Sequence, residues 1–274
     1  MMRLVLLCII CAGSSVQAQW VNYRTPGIPR GGDGKAALSA PAPRASSGKP
    51  DLSGVWEAEP ASREELSRFL PDGFNLLGED PPSKYFFNML SDFKPEEAPM
   101  TRATAALFGA RVAGQGKDAP FSRCLPMGIP LADLAPVPFK IIQTASVVLM
   151  LHEADGSFRQ IHTDGRKLPA DNPLPSWTGY STGRWEGDTL VVDTAGFNDR
   201  GWLDAAGHPH SDAMHVTERF YRRDVGHMEV QITVDDPQSY TKPFTVKITE
   251  LLMPDTDLIE SVCLENETDV KHLR

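Results

Sequence analysis

His208-Pro209-His210-Ser211-Asp212-Ala213-Met214-His215-Val216-Thr217-Glu218-Arg219-Phe220 is the stretch on which the reading of the fold turns. It opens as a polar loop holding three of the seven histidines and runs straight into alternating apolar and polar residues. Alternation with period two is the mark of a strand with one buried face. Val216, Glu218, Phe220 and Arg222 share one side, and His215, Thr217, Arg219 and Tyr221 the other. If the apolar pair faces inward, Glu218 goes with it.

The same pattern continues outward in both directions. His215–Arg223 turns at Asp224-Val225-Gly226 into His227–Val234, and Phe244–Leu252 turns at Pro254-Asp255-Thr256-Asp257 into Leu258–Leu264. Upstream, Phe139–Thr144, Val147–Glu153 and Phe158–Thr163 are strands, with a hairpin turn at Ala154-Asp155-Gly156-Ser157. Tyr180–Trp185 and Thr189–Thr194 flank Glu186-Gly187-Asp188. With Gly54–Ala58 these segments predict a mainly β chain, an antiparallel up-and-down barrel of about 8–10 strands. No long helix alternates with the strands, which disfavours a parallel α/β fold.

Residues 1–18 read as a signal peptide: Met1-Met2-Arg3, the apolar run Leu4–Ala12, and Val16-Gln17-Ala18 before the cut. That run is shorter than the roughly 20 residues a bilayer span needs, so the expectation is a periplasmic or secreted protein without membrane insertion. Residues 19–49, rich in Pro, Gly and Ala, read as a disordered leader. Residues 50–274 form a single domain, with a short-helical insertion at about 62–117, where prolines keep the helices brief. Tyr85, Phe86 and Phe87 there suit either a lid over a pocket or packing on the barrel wall. Of four cysteines, Cys8 and Cys11 leave with the signal. Cys124 and Cys263 remain, and in an oxidising compartment they are expected to pair. The net charge of −9 argues against nucleic acid or an anionic membrane as partner.

Gly54-Val55-Trp56 at the start of a β domain resembles the opening of lipocalin-type (calycin) barrels, in which the Trp closes the floor. Gly183–Thr194, His210-Ser211-Asp212, His215–Phe220, Cys124-Leu125-Pro126 and Tyr240–Phe244 together resemble an uncharacterised family of exported bacterial proteins. That resemblance covers roughly residues 50–266 and implies no particular activity.

Candidate chemistry lies in two clusters and an aromatic set. In the first, His210 or His215 would move a proton, Asp212 would orient the imidazole, and Glu218 would be the partner acid, its pKa raised by burial. The alternative for Glu218 is a structural ion pair with Arg159, Arg166 or Arg184. The second cluster, Arg159, His162, Asp164 and Arg166, would bind substrate, with Arg166 suited to a carboxylate. Tyr180, Trp185 and Trp202, with Trp177 and Phe197, would make an aromatic mouth for a flat or hydrophobic molecule. Asp164-Gly165 also suits an ordinary turn. No cofactor fingerprint is present; zinc at His208, His210, Asp212 and His215 is the minority alternative. The expected function is a cofactor-independent acid/base enzyme, a lyase, isomerase or hydrolase, taking a small, partly hydrophobic or aromatic compound. The alternative is a non-catalytic carrier for a small hydrophobic ligand. Oligomeric state is not legible in the sequence.

Overall fold

A computed structural model describes residues 23–67, 81–169 and 174–263. The described residues close nine strands into one barrel: β1 (Gly54–Ala58), β2 (Phe139–Gln143), β3 (Val147–His152), β4 (Phe158–His162), β5 (Tyr180–Glu186), β6 (Thr189–Ala195), β7 (His215–Arg222), β8 (His227–Asp235) and β9 (Phe244–Leu252). Strands are neighbours in chain order, and β9 returns to pair with β1. The fold is mainly β, as expected.

Nine is an odd number, and a closed ring of alternating strands needs an even one. One neighbouring pair must therefore run the same way, and that pair is β4–β5, with Ile161 opposite Ser181 and His162 opposite Thr182. This corrects the fully antiparallel expectation. A parallel pair needs a connection that carries the chain back along the barrel, and the described residues 163–169 and 174–179 belong to it. The expected strand at Leu258–Leu264 is also corrected. Residues 258–262 are not strand, because β1 already occupies the edge of β9 that such a strand would need. Leu264 lies outside the described residues.

The strand directions give the barrel two distinct ends. At one, the floor, stand the β5–β6 and β7–β8 turns and the start of β1. Trp56 is fully buried there, its indole Nε1 donating to Leu52 O at 3.0 Å. The Arg222 guanidinium sits 4.8 Å above the ring and donates to Asp51, Ser53 and Val225 carbonyls. Residues 23–49, read from composition as a disordered leader, cross this floor. Gly226 N donates to Leu38 O at 2.7 Å, Val225 N to Ala40 O at 2.9 Å, and Arg44 grips Asp188. A Cβ on Gly226 would stand 2.6 Å from Leu38 Cβ, so glycine is what lets the segment lie so close. Residues 1–18, read from the sequence as a signal peptide, lie outside the described residues.

The other end, the mouth, is plugged by α4 (Leu131–Leu134), all four residues of which are buried. Around it lie α1 (Arg63–Ser67), α2 (Lys84–Phe87) and α3 (Arg102–Ala113), the expected helical insertion. α2 is fastened to the 204–208 loop by Ala205 N to Phe86 O and Ala206 N to Phe87 O. Tyr85 is buried, with Phe86 packed against the core, so this aromatic run packs on the body of the protein. Cys124 and Cys263 form a disulfide, tying the end of the described chain to the segment that leads into α4. Among the described residues no helix is long and apolar enough to cross a membrane.

Candidate functional site

Alternation places Val216, Glu218 and Phe220 inside the barrel, each 3% exposed or less. The same rule applied to β3, β4 and β9 sends His152, Arg159 and Glu250 inward, and α4 adds Asp133 from the mouth. These five titratable side chains are each 4% exposed or less. A charge removed from water is tolerated only when paired and hydrogen-bonded, and most of this group meets that condition.

Arg159 is its hub. Nη1 donates to Glu218 Oε1 at 3.0 Å and to Asp133 Oδ2 at 3.4 Å, and Nη2 donates to Glu218 Oε2 and to Thr194 Oγ1 at 2.7 Å. Nε reaches Ser181 Oγ at 3.0 Å. Asp133 Oδ1 lies 2.7 Å from His152 Nε2. Burial pushes the Asp133 carboxyl up, but the His152 hydrogen bond and the charges of His152 and Arg159 outweigh it and leave it below its usual range. An ionised carboxylate only accepts, so His152 Nε2 carries the hydrogen. Glu218 goes the other way: burial raises its pKa, and the pull of Arg159 does not cancel that.

Glu250 is the exception to the pairing. Among the described residues its Oε2 has no hydrogen-bond partner. Burial raises this carboxyl well above its ordinary 4.5, and the charges of Asp133 and Glu57 push the same way. The folded chain thus keeps a proton that the unfolded chain releases above 4.5. The stability this contributes is full below that value and is lost as pH rises toward the folded pKa. Glu250→Gln carries no such proton. In urea unfolding it should lose less stability than the wild type between about pH 5 and pH 8; parallel pH curves for the two chains would contradict this.

The sequence-predicted residues fall in three separate places. Arg159 and Glu218 meet inside the barrel, in the ion pair that was the structural alternative for Glu218. His162, Asp164, Arg166, Tyr180 and His215 lie on or beside the outer wall. There Arg166 binds Asp164 at 2.6 Å and Tyr180 Oη at 3.1 Å, His162 lies 5.2 Å from the Tyr180 ring, and His215 is 3.8 Å from Asp193. A cleft of about 560 Å³ runs here, lined by Arg166, Lys167, Thr182, Arg184, Asp193 and His215. His210 and Trp202 belong to the mouth loop. His210 is buried, its Nδ1 donating to Ser211 O at 3.1 Å, and burial lowers its pKa. Trp202 packs under Arg111, and Trp185 packs against the core.

The expected catalytic grouping of His210, Asp212, His215 and Glu218 is therefore not assembled. Asp212 is exposed, and the loop is tied instead by Ser211 to Asp236, at 2.7 and 2.6 Å. His208 stacks on Phe108 and bonds Asp204 at 2.6 Å. Among the described residues no group of three or more His, Cys, Asp or Glu side chains could hold a metal ion.

Asp133, His152 and Glu250 were missed, although each carried a signal. His152 ends the apolar run Val147–Leu151 on the inward face. Asp133 is a lone acid in Ile129–Val137, and Glu250 follows Phe244, Val246 and Ile248 in register.

Comparison of the chain with protein-family models, curated proteins and solved structures returns no match.

Proposed function

We propose that this chain is an exported barrel of lipocalin type that performs acid/base chemistry on a small, partly hydrophobic or aromatic molecule. The observation that carries the reading is the convergence of Asp133, His152, Arg159, Glu218 and Glu250 in one sealed interior, with a Glu250 oxygen left unpartnered. A buried polar atom without a partner marks a place where a ligand donor would be held. Environments that push neighbouring carboxyls apart, one ionised and one neutral, are how a protein divides the roles of base and acid. Here Asp133 with His152 is the base and Glu250 the proton donor, while Arg159 and Glu218 fix the geometry. The lipocalin assignment is supported by Gly54-Val55-Trp56 at the floor beneath Arg222, and export by the disulfide.

The test uses 1-aminoanthracene, an apolar aromatic amine, followed by fluorescence. Saturable one-to-one binding is expected, weakened at least about tenfold in Glu250→Leu by loss of the hydrogen bond. Absence of saturable binding, or equal affinity in the variant, would overturn the proposal.

A further inference from the structure

The buried group meets the rim of the barrel at the β3–β4 turn. His152 and Ser157 face each other across the β3–β4 turn, where His152 N donates to Ser157 O at 2.9 Å. Ser157 Oγ lies 3.3 Å from His152 Nδ1, and Ser157 is only half-buried whereas His152 is 3% exposed. The order from solvent inward is therefore Ser157, His152, Asp133, Arg159, Glu218.

We propose that Ser157 is the proton port of the barrel interior, its hydroxyl passing protons between bulk water and His152 Nδ1. The inference rests on the acid/base reading above and supplies what that reading lacks. A group that gives or takes a proton in each turnover must be reset from solvent, and the inner side of the imidazole is closed. Nε2 is engaged by Asp133 of α4, behind which stand Arg159 of β4 and Glu218 of β7. Nδ1 is left for exchange.

The turn holds the serine in position for this. Ser157 N donates to Asp155 Oδ1 at 2.9 Å, and Asp155 Oδ2 is held by Met127 N at 2.8 Å. Gly156, at φ +66°, supplies the left-handed residue the turn needs. The transfer is balanced. A hydronium on the outer side gives its proton to Ser157 Oγ as the hydroxyl proton moves to Nδ1. Water and an imidazolium result, and the serine is unchanged; the reverse pair of transfers discharges the ring.

The experiment is NMR on the full chain labelled with ¹⁵N-histidine, measuring exchange of the His152 ring protons with water by saturation transfer. It needs no substrate, so a relay can be found where catalysis is absent, or the converse. In the wild type the buried ring should exchange readily. Ser157→Ala should slow it at least about tenfold, and Ser157→Thr, which keeps the hydroxyl, should restore it. Exchange in Ser157→Ala equal to the wild type, or a wild-type ring that shows no transfer, would overturn the proposal. Should the alanine chain fail to fold, the threonine chain decides: near-wild-type exchange supports the port, and loss of exchange overturns it.

Discussion

Glu218→Ala should lower the unfolding free energy by about 3–5 kcal/mol, among the largest effects of any single substitution in this chain. The size follows from what is left behind rather than from what is removed. Arg159 is 2% exposed and gives two of its donors to Glu218. Without that carboxylate its charge keeps, among the described residues, Asp133 at 3.4 Å, the hydroxyls of Ser181 and Thr194 and the weak acceptor Met150 Sδ. Attraction inside a barrel wall is strong because the dielectric is low, and the cost of an unmatched charge is high for the same reason. Replacing both partners, as Arg159→Met with Glu218→Leu, should therefore be milder than the single change. Urea unfolding of the two variants is the check, and a loss below about 1 kcal/mol in Glu218→Ala would show the pair to be solvated rather than buried.

Reduction of the Cys124–Cys263 disulfide should cost about 2–5 kcal/mol. The bond closes a loop of 139 residues that contains eight of the nine strands, so opening it returns much conformational freedom to the unfolded chain. The folded chain is affected as well. Residues 257–263 run along the outer wall, held by Lys140–Asp257 at 2.6 Å and by Ile259 N to Glu153 at 3.1 Å. Neither contact is strong enough alone to hold that segment against solvent. Cys263→Ser should lower the urea midpoint and expose residues 256–263 to proteolysis first. An unchanged midpoint would mean that the barrel's closure by β1 and β9 does not use the bond.

Much of the barrel could be read from alternation, because inward and outward residues differ sharply in β7, β8 and β9. Hairpin turns at Asp155-Gly156 and Glu186-Gly187-Asp188 set most of the order. The parity of the ring could not be read, since local patterns carry no count of how many strands close a circle. The β4–β5 pair, only two residue pairs long, has no signature of its own. Packing of residues 23–49 on the floor was hidden by their composition: they hold on through backbone bonds and two arginines, and they bury few side chains.

The site was partly legible for a related reason. Glu218 and Arg159 sit on regular strands, where face can be deduced. Asp133, which meets Arg159, and Ser157, which meets His152, sit on a four-residue helix and a turn, where it cannot. Histidine density pointed to residues 208–215, yet His208 and His210 there are held by backbone and by Asp204, and they serve the mouth loop. The histidine that meets a buried carboxylate is the isolated one at the end of an apolar strand.

Acid/base chemistry in this barrel depends on how the interior divides its protons. A ¹³C NMR titration of the Asp and Glu side-chain carboxyls reads this directly. At neutral pH Asp133 should be ionised while Glu250 still holds its proton. A Glu250 carboxyl that titrates with the exposed glutamates, near its ordinary 4.5, would contradict it.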